Sequence, residues 1–104
     1  MSVYVEPLAK NGWVLRGRSV MSCHMMADSV AELHEFAATI GLRRSWAHDT
    51  TGGPPHYDLV ASKRAAAVRA GAVEVTRREF AALLRRLRTA ETAQNSLEPG
   101  APPR

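Results

Sequence analysis

Residues 22–34, SCHMMADSVAELH, bring two histidines, a cysteine, an aspartate and a glutamate into one short stretch. Imidazole and carboxylate groups bind divalent metals and transfer protons. Residues of these types are also typical of a buried strand that runs into a well-capped helix. In that structural interpretation Asp28 closes the helix start, His34 lies at the packing boundary, and Cys23 is a small buried apolar residue. His24 is then the residue of this stretch that remains available for chemistry.

A second polar concentration lies between residues 46 and 64. Its members of interest are Trp46, His48, His56, Tyr57, Asp58, Ser62, Lys63 and Arg64. If Ser62 caps a helix, its hydroxyl, the free backbone N–H groups and two cations converge as in a phosphate site. If the helix begins at Asp58 instead, Lys63 and Arg64 are ordinary surface charges. Trp46 or Tyr57 could stack on a base of a nucleotide-like ligand.

Two site hypotheses follow from these stretches. The first assigns chemistry to His24, His56 and Asp58, with phosphate-bearing ligand contacts from Ser62, Lys63, Arg64, Tyr57 and Trp46. The second is a divalent metal cofactor held by Glu6, His24, Asp28 and Asp58. Mixed carboxylate and imidazole ligands suit Mn²⁺ or Mg²⁺ as readily as Zn²⁺.

Length and composition limit the protein to a small domain. The chain has 104 residues, of which 45% are apolar. We expect one domain over residues 1–90 and a disordered polar tail over residues 91–104. No apolar run is long enough to span a membrane, and no signal peptide is expected. A single cysteine excludes an internal disulfide, so we expect a reducing, cytoplasmic setting.

The positive charge is concentrated in the second half of the folded part. Residues 43–90 hold ten Lys or Arg against four Asp or Glu. This excess could attract a nucleic acid or a phosphate, or it could be a solvated arginine-rich face. The sequence does not indicate an oligomeric state.

The periodicity predicts alternating strands and helices. Extended runs are expected at residues 3–5, 19–25, 43–47 and 72–75, and residues 13–15 are either a short strand or a hydrophobic loop. A capping box at Ser29 and Glu32 starts a helix that Gly41 ends. A second helix ends at Gly71, and a third, started by a capping box at Thr76 and Glu79, carries the apolar stripe of Phe80 and the following leucines.

These elements predict a small layered α/β domain with three helices and a short, largely parallel sheet, in the order β-β-α-β-α-β-α. Ligands of such sheets bind at the carboxyl ends of the strands. His24 and His56 should therefore lie together at one edge, near Asp58 and Arg64. Imidazoles more than about 12 Å apart would exclude a shared site.

Four ordered motifs resemble the domain of unknown function 4031 family, whose members are small proteins of bacteria and their phages. The motifs are VYVE at 3–6, CHMMADSVAELH at 23–34, HYDLVASKRAAAV at 56–68 and GAVEV at 71–75. The resemblance implies an acid at position 6 and counterparts of His24, Asp28, His56, Tyr57, Asp58, Lys63 and Arg64. It implies no established activity, and the segment between Trp46 and His56 is longer than in the family's pattern.

Three functional classes are consistent with the sequence. The first binds or processes a phosphate-bearing small molecule such as a nucleotide. The second is a metal-assisted phosphodiester hydrolase, in which the cation would lower the pKa of a bound water. The third is a non-catalytic adaptor for nucleic acid or protein, so the sequence leaves open whether the chain is an enzyme.

Overall fold

The computed structural model describes residues 2–48 and 54–97 of the chain. Its strands are β1 (Val3–Val5), β2 (Ala9–Leu15), β3 (Arg18–Ala27), β4 (Tyr57–Val60) and β5 (Val73–Glu74). Its helices are α1 (Val30–Thr39), α2 (Ala61–Arg69) and α3 (Arg77–Leu97), and a short 3₁₀ turn spans Arg44–Trp46. The described residues form a mixed α/β structure with a five-stranded sheet.

Strand β3 is the centre of this sheet. Met25 pairs with both Val5 of β1 and Tyr57 of β4, and Ser22 pairs with both Ala9 of β2 and Val60 of β4. Strands β1 and β2 therefore follow one another along one side of β3, and β4 lies on the other side. Strand β5 extends the sheet beyond β1.

The predicted parallel sheet is wrong, because three of the four strand pairings are antiparallel and only β1 with β5 is parallel. The cause is a tight turn. Arg16 and Gly17 both have positive φ, 53° and 77°, as a two-residue hairpin turn requires, so β3 returns beside β2. Strand β3 is apolar on both sides because helices cover both faces of the sheet, which an antiparallel strand permits equally well.

Helices α1 and α2 begin differently but end alike. The Ser29 hydroxyl accepts a hydrogen bond from the Glu32 N–H at 3.2 Å, which confirms the first capping box. At the C-termini, Gly41 and Gly71 have φ of 82° and 112°, and the residue after each donates to the carbonyl five positions back at 2.9 Å. Both predicted glycine stops are thus confirmed as left-handed caps.

Three sequence predictions about element positions need correction. Residues 57–60 are a strand, and α2 begins at Ala61 with Val60 as a cap that lacks a side-chain hydrogen bond. The expected extended run at 43–47 contains a 3₁₀ turn instead. Helix α3 continues to Leu97, past residue 91 where the tail was expected to start, and residues 98–104 lie outside the described residues.

The sheet presents two different faces. Its core face packs against α1 and α2, and the cluster there consists mainly of Val3, Val5, Cys23, Met25, Tyr57, Leu59, Leu33, Ala37 and Ala67. Alternation along the strands places the side chains of Glu6, His24 and Asp58 on the opposite side, which we call the polar face. The first turns of α3 lie over this face, where the Phe80 ring stacks on His24 with centroids 6.4 Å apart.

Within the described residues, none of the helices combines the length and apolar character that crossing a membrane requires.

Candidate metal centre

Pairing between β3 and β4 brings His24 and Asp58 side by side on the polar face. The two residues are direct cross-strand partners. Their side chains therefore project together, and His24 Nε2 lies 3.4 Å from Asp58 Oδ1. This contact depends on strand register rather than on the strand ends where the sequence predicted the site.

A separate bridge adds two more histidines. His48 and His56 exchange backbone hydrogen bonds of 2.8 and 3.2 Å on either side of the segment 49–55. Their rings stack with centroids 5.3 Å apart, and His56 meets His24 edge to face at 5.1 Å. The expected proximity of the His24 and His56 imidazoles is thus confirmed.

Both oxygens of Asp58 face these rings. His56 Nε2 lies 3.8 Å from Oδ1, and His48 Nε2 lies 3.1 Å from Oδ2. We call His24, His48, His56 and Asp58 the histidine cluster. Three of its members, His24, His56 and Asp58, offer ligand atoms that all lie within 4.8 Å of one another.

Glu6 stands behind His24 rather than among the potential ligands. Its carboxylate accepts the His24 backbone N–H at 2.8 Å and pairs with the ring Nδ1 of the same residue. On the other side of the ring, His24 Nε2 lies 3.4 Å from Asp58 Oδ1. Arg64 secures this arrangement by donating from Nε to the Glu6 carbonyl at 2.9 Å and from Nη1 to Glu74 at 3.0 Å.

His56 is held in a similar way. Its ring hydrogen-bonds to the Pro54 backbone, where the carbonyl is the available acceptor. Burial lowers the pKa of His56, the Asp58 carboxylate partly opposes this effect, and the neighbouring His24 and His48 lower the pKa further. The lowered pKa favours the neutral form of the His56 ring.

The Asp58 carboxylate faces ring nitrogens of three histidines. Its Oδ1 atom is buried and has no hydrogen-bond donor among the residues that the structure describes. A buried carboxylate oxygen beside two ring nitrogens is satisfied when a proton or a cation lies between them. The donor set of two imidazoles and one carboxylate is one that binds Zn²⁺, Mn²⁺ and related divalent ions.

Two residues that the sequence placed in the site belong elsewhere. The Asp28 carboxylate accepts the Ser2 N–H at 2.7 Å and the Tyr4 hydroxyl at 3.0 Å, and it lies four residues along from His24, about 13 Å in a strand. It is neither the helix cap, which is Ser29, nor a member of the cluster. Tyr57 is 1% exposed on the core face, so its ring is not available to stack on a ligand.

His34 occupies the position predicted for it. It is half-buried on α1, and its Nδ1 lies 2.7 Å from the Tyr57 hydroxyl, on the opposite side of the sheet from His24.

The predicted phosphate site at Ser62, Lys63 and Arg64 is not assembled. Ser62 is exposed inside the first turn of α2 and does not cap it. Lys63 donates to the Ile40 carbonyl at 3.1 Å at the end of α1, and Arg64 contacts Glu6 and Glu74. Their side chains diverge because helical geometry turns each residue by about 100° from the last.

Trp46 lies on the 3₁₀ turn and is 50% exposed, with the Arg43 guanidinium carbon 5.7 Å from its ring centroid.

The sequence assigned no role to two residues that contact the site. His48 was among the polar residues of interest but was in neither site hypothesis, and the structure places its Nε2 3.1 Å from Asp58 Oδ2. Phe80 was interpreted as part of the apolar stripe of α3, and the structure adds that its ring stacks on His24.

The model of the family described as "Protein of unknown function (DUF4031)" matches residues 3–87, and the chain belongs to this family. No curated protein and no solved structure matches it. The matched range includes every residue of the histidine cluster as well as Glu6 and Phe80.

Proposed function

We propose that the histidine cluster binds one divalent transition metal and that the chain uses it to hydrolyse phosphate esters. His24 Nε2, His56 Nε2 and Asp58 Oδ1 are the ligands. Glu6 and the Pro54 carbonyl orient the two imidazoles by accepting a hydrogen bond from each ring. A carboxylate or carbonyl behind a ligating histidine is the usual arrangement in metal sites, because it fixes the ring and raises its basicity.

The observation that carries this proposal is the buried Asp58 Oδ1, which faces two imidazole nitrogens and lacks a donor among the described residues. Ligand atoms bonded at about 2.0–2.2 Å to a tetrahedral ion stand roughly 3.3–3.6 Å apart. The separations of Oδ1 from the two nitrogens are 3.4 and 3.8 Å. A cation at this point would need little side-chain movement and would satisfy all three atoms.

Three protein ligands leave one coordination position for water. This count is typical of catalytic zinc sites, whereas structural zinc sites use four protein ligands. The His24 side chain is 40% exposed, so solvent and substrate can reach the cluster. A divalent cation held by these residues would lower the pKa of a bound water towards 7 and would thereby supply hydroxide at neutral pH.

The expected reaction is a simple hydrolysis. The water oxygen forms a bond to phosphorus, the ester P–O bond breaks, and the leaving oxygen takes up a proton. His48 is placed to assist, because its Nε2 lies 3.1 Å from the Asp58 oxygen that does not face His24 and His56. The contact holds Asp58 in orientation and keeps an exchangeable proton beside the site. The excess of Lys and Arg over residues 43–90 favours an anionic substrate.

Calorimetric titration of chelator-treated protein with Zn²⁺ and Mn²⁺ tests the site. Wild type should bind one ion per chain, Asp58→Asn should bind none, and Asp28→Asn should bind as wild type does. The two variants make the same chemical change at carboxylates inside and outside the cluster. Equal losses in both, or no binding by wild type, would refute the metal site.

Hydrolysis is tested separately with bis(p-nitrophenyl) phosphate. Turnover should require added metal and should be lost in Asp58→Asn but not in Asp28→Asn. Metal binding without turnover would retain the site and reject the hydrolase.

A further inference from the structure

The β2–β3 hairpin extends beyond the rest of the sheet. Strand β4 pairs with β3 only as far as Ser22. From there to the turn at Arg16 and Gly17, the described residues pair β3 with β2 alone. The sheet thus continues as a two-stranded ribbon that begins at Met21, three residues before His24.

One side of this ribbon is continuous with the polar face. Alternation along β3 puts Val20 and Arg18 on the same side as His24, and Leu15 is the cross-strand partner of Arg18. Trp13 precedes Leu15 by two residues and shares its side. We call Trp13, Leu15, Arg18 and Val20 the ribbon strip. It runs for about 20 Å from His24 to Arg18, at about 3.3 Å per residue.

Helix α3 leaves the strip uncovered. Its Phe80 lies at His24, and its Arg86 interacts electrostatically with Tyr4, the partner of Met26 in β3. The helix therefore runs towards the end of β3 that is remote from the ribbon. Met26 at that end is 1% exposed, whereas on the strip Leu15 and Arg18 are exposed and Trp13 and Val20 are half-buried.

The charge around the strip has one sign. Residues 7–27 contain Lys10, Arg16 and Arg18 but no Asp or Glu. At the other side of the cluster, Arg77 and Arg78 are exposed in the first turn of α3. A chain of phosphates would meet cations on both sides of the metal ligands. Indole and apolar side chains between these cations suit unpaired bases, which stack on such surfaces irrespective of sequence.

From this arrangement we infer that the substrate is single-stranded nucleic acid, which lies along the ribbon strip with its backbone leading into the histidine cluster. This inference rests on the proposed function, because it names the phosphate ester that the metal centre would cleave. The reaction is the one described above, with water adding to a phosphodiester phosphorus and a sugar oxygen departing with a proton. Double-stranded nucleic acid fits less well, because its bases are already stacked and cannot use the strip.

Fluorescence anisotropy with a labelled 12-nucleotide strand, as DNA and as RNA, tests the strip. Arg18→Glu should weaken binding by about tenfold or more and should reduce the slope of log affinity against log salt by about 0.7. The control is Arg69→Glu, which makes an equal charge change at an exposed residue of α2. Because α2 packs on the core face of the sheet, this variant should bind the strand as wild type does. Equal binding by the two variants, or tighter binding of a 12-base-pair duplex than of the single strand, would overturn the inference.

The same assay on chelator-treated wild type separates this inference from the proposed function. The metal-free protein should bind the strand with nearly unchanged affinity, because the ribbon strip is intact. A protein that binds the strand through Arg18 but binds no metal would uphold the strip and refute the metal centre. A protein that binds metal but no strand would refute the ribbon strip and uphold the metal centre. Thermal unfolding of each variant, matched to wild type, shows that an observed loss is not a loss of fold.

Discussion

The two faces of the sheet are built from the same strands and differ in what they cover. On β3, Cys23 and Met25 face α1 and α2 and are at most 1% exposed, whereas His24 between them carries a side chain that is 40% exposed. On β4, Leu59 is fully buried on the core face, and Asp58 beside it belongs to the histidine cluster. Because successive side chains of a strand point to opposite faces, one strand supplies both residues that stabilise the fold and residues that could perform chemistry.

The difference shows where the stability of this small protein originates. Burial of a Leu, Val or Met side chain stabilises the folded state by about 1.5–3 kcal/mol. The cluster contributes little of this kind, because it places imidazoles around a carboxylate oxygen that has no donor among the described residues. The core face can thus support a polar face that adds little stability of its own.

The largest effect should come from a truncation on the core face. Leu59→Ala removes a side chain with no exposed surface and should lower the free energy of unfolding by about 2–5 kcal/mol. Asp58→Asn, one residue away, should change the metal-free value by less than about 1 kcal/mol, because the Oδ1 atom has no hydrogen-bond donor among the described residues. Urea unfolding of both variants makes the comparison. Similar losses would mean that the two faces do not differ in this way.

The next largest effect should come from the residue behind the ligands. Glu6→Gln keeps the size of the side chain but weakens its hold on His24 Nδ1, and it should reduce metal affinity by about 10–100-fold. Glu35→Gln, on the exposed side of α1, is the matched control and should have no effect. Competition with a chelating dye measures both. An unchanged metal affinity in Glu6→Gln would show that Glu6 does not support metal binding.

A smaller effect is expected at the helix ends. Gly71→Ala should lower the free energy of unfolding by about 1 kcal/mol, because a Cβ is unfavourable at a φ of 112°. An added Cβ there would have no atom within 4 Å, so the cost isolates backbone conformation. At Gly41 the Cβ would lie 3.2 Å from Lys63 Nζ, and Gly41→Ala should cost slightly more. Metal titrations of both variants should match wild type.

The smallest change should be seen at Cys23. Burial raises the pKa of this thiol to about 11 from 9.0, so at pH 8 it is protonated and inaccessible. A disulfide reagent should label native protein hardly at all, while His24, its neighbour in sequence, should react with diethyl pyrocarbonate. Since the folded-state pKa is raised, this contribution to stability is present below about pH 9 and is lost as the pH rises towards 11. Fast labelling of native Cys23 would contradict its place in the core.

The helix ends could be predicted from the sequence because their signals are local. Ser29, Gly41 and Gly71 each act through hydrogen bonds within a few residues. The sheet direction could not be predicted in the same way. It depends on the Arg16–Gly17 turn, in which a non-glycine residue takes positive φ, and on β4, which joins α2 with no turn residue between them.

The sequence predicted part of the candidate site and missed the rest. His24 and His56 could be expected to meet, and they do. The other members of the site could not be fully predicted, because they depend on which face of the sheet each side chain lies on. That face can be assigned only when the strand register is known. Tyr57 was therefore misassigned to the site, although it differs from Asp58 by a single position. Asp28 was misassigned because the Ser2 and Tyr4 groups that hydrogen-bond to its carboxylate lie 26 and 24 positions away, respectively.

The two-sided pairing of β3 constrains how this gene can change. Met25 and Ser22 are each fixed by partners on both sides, so β3 cannot slide against only one neighbour. An in-frame insertion of one codon within residues 22–25 would exchange the two faces over part of the strand, moving an imidazole into the apolar core and the cysteine out to solvent. Lineages of this family should therefore tolerate length variation at the hairpin tip and between His48 and His56, and very little of it inside β3.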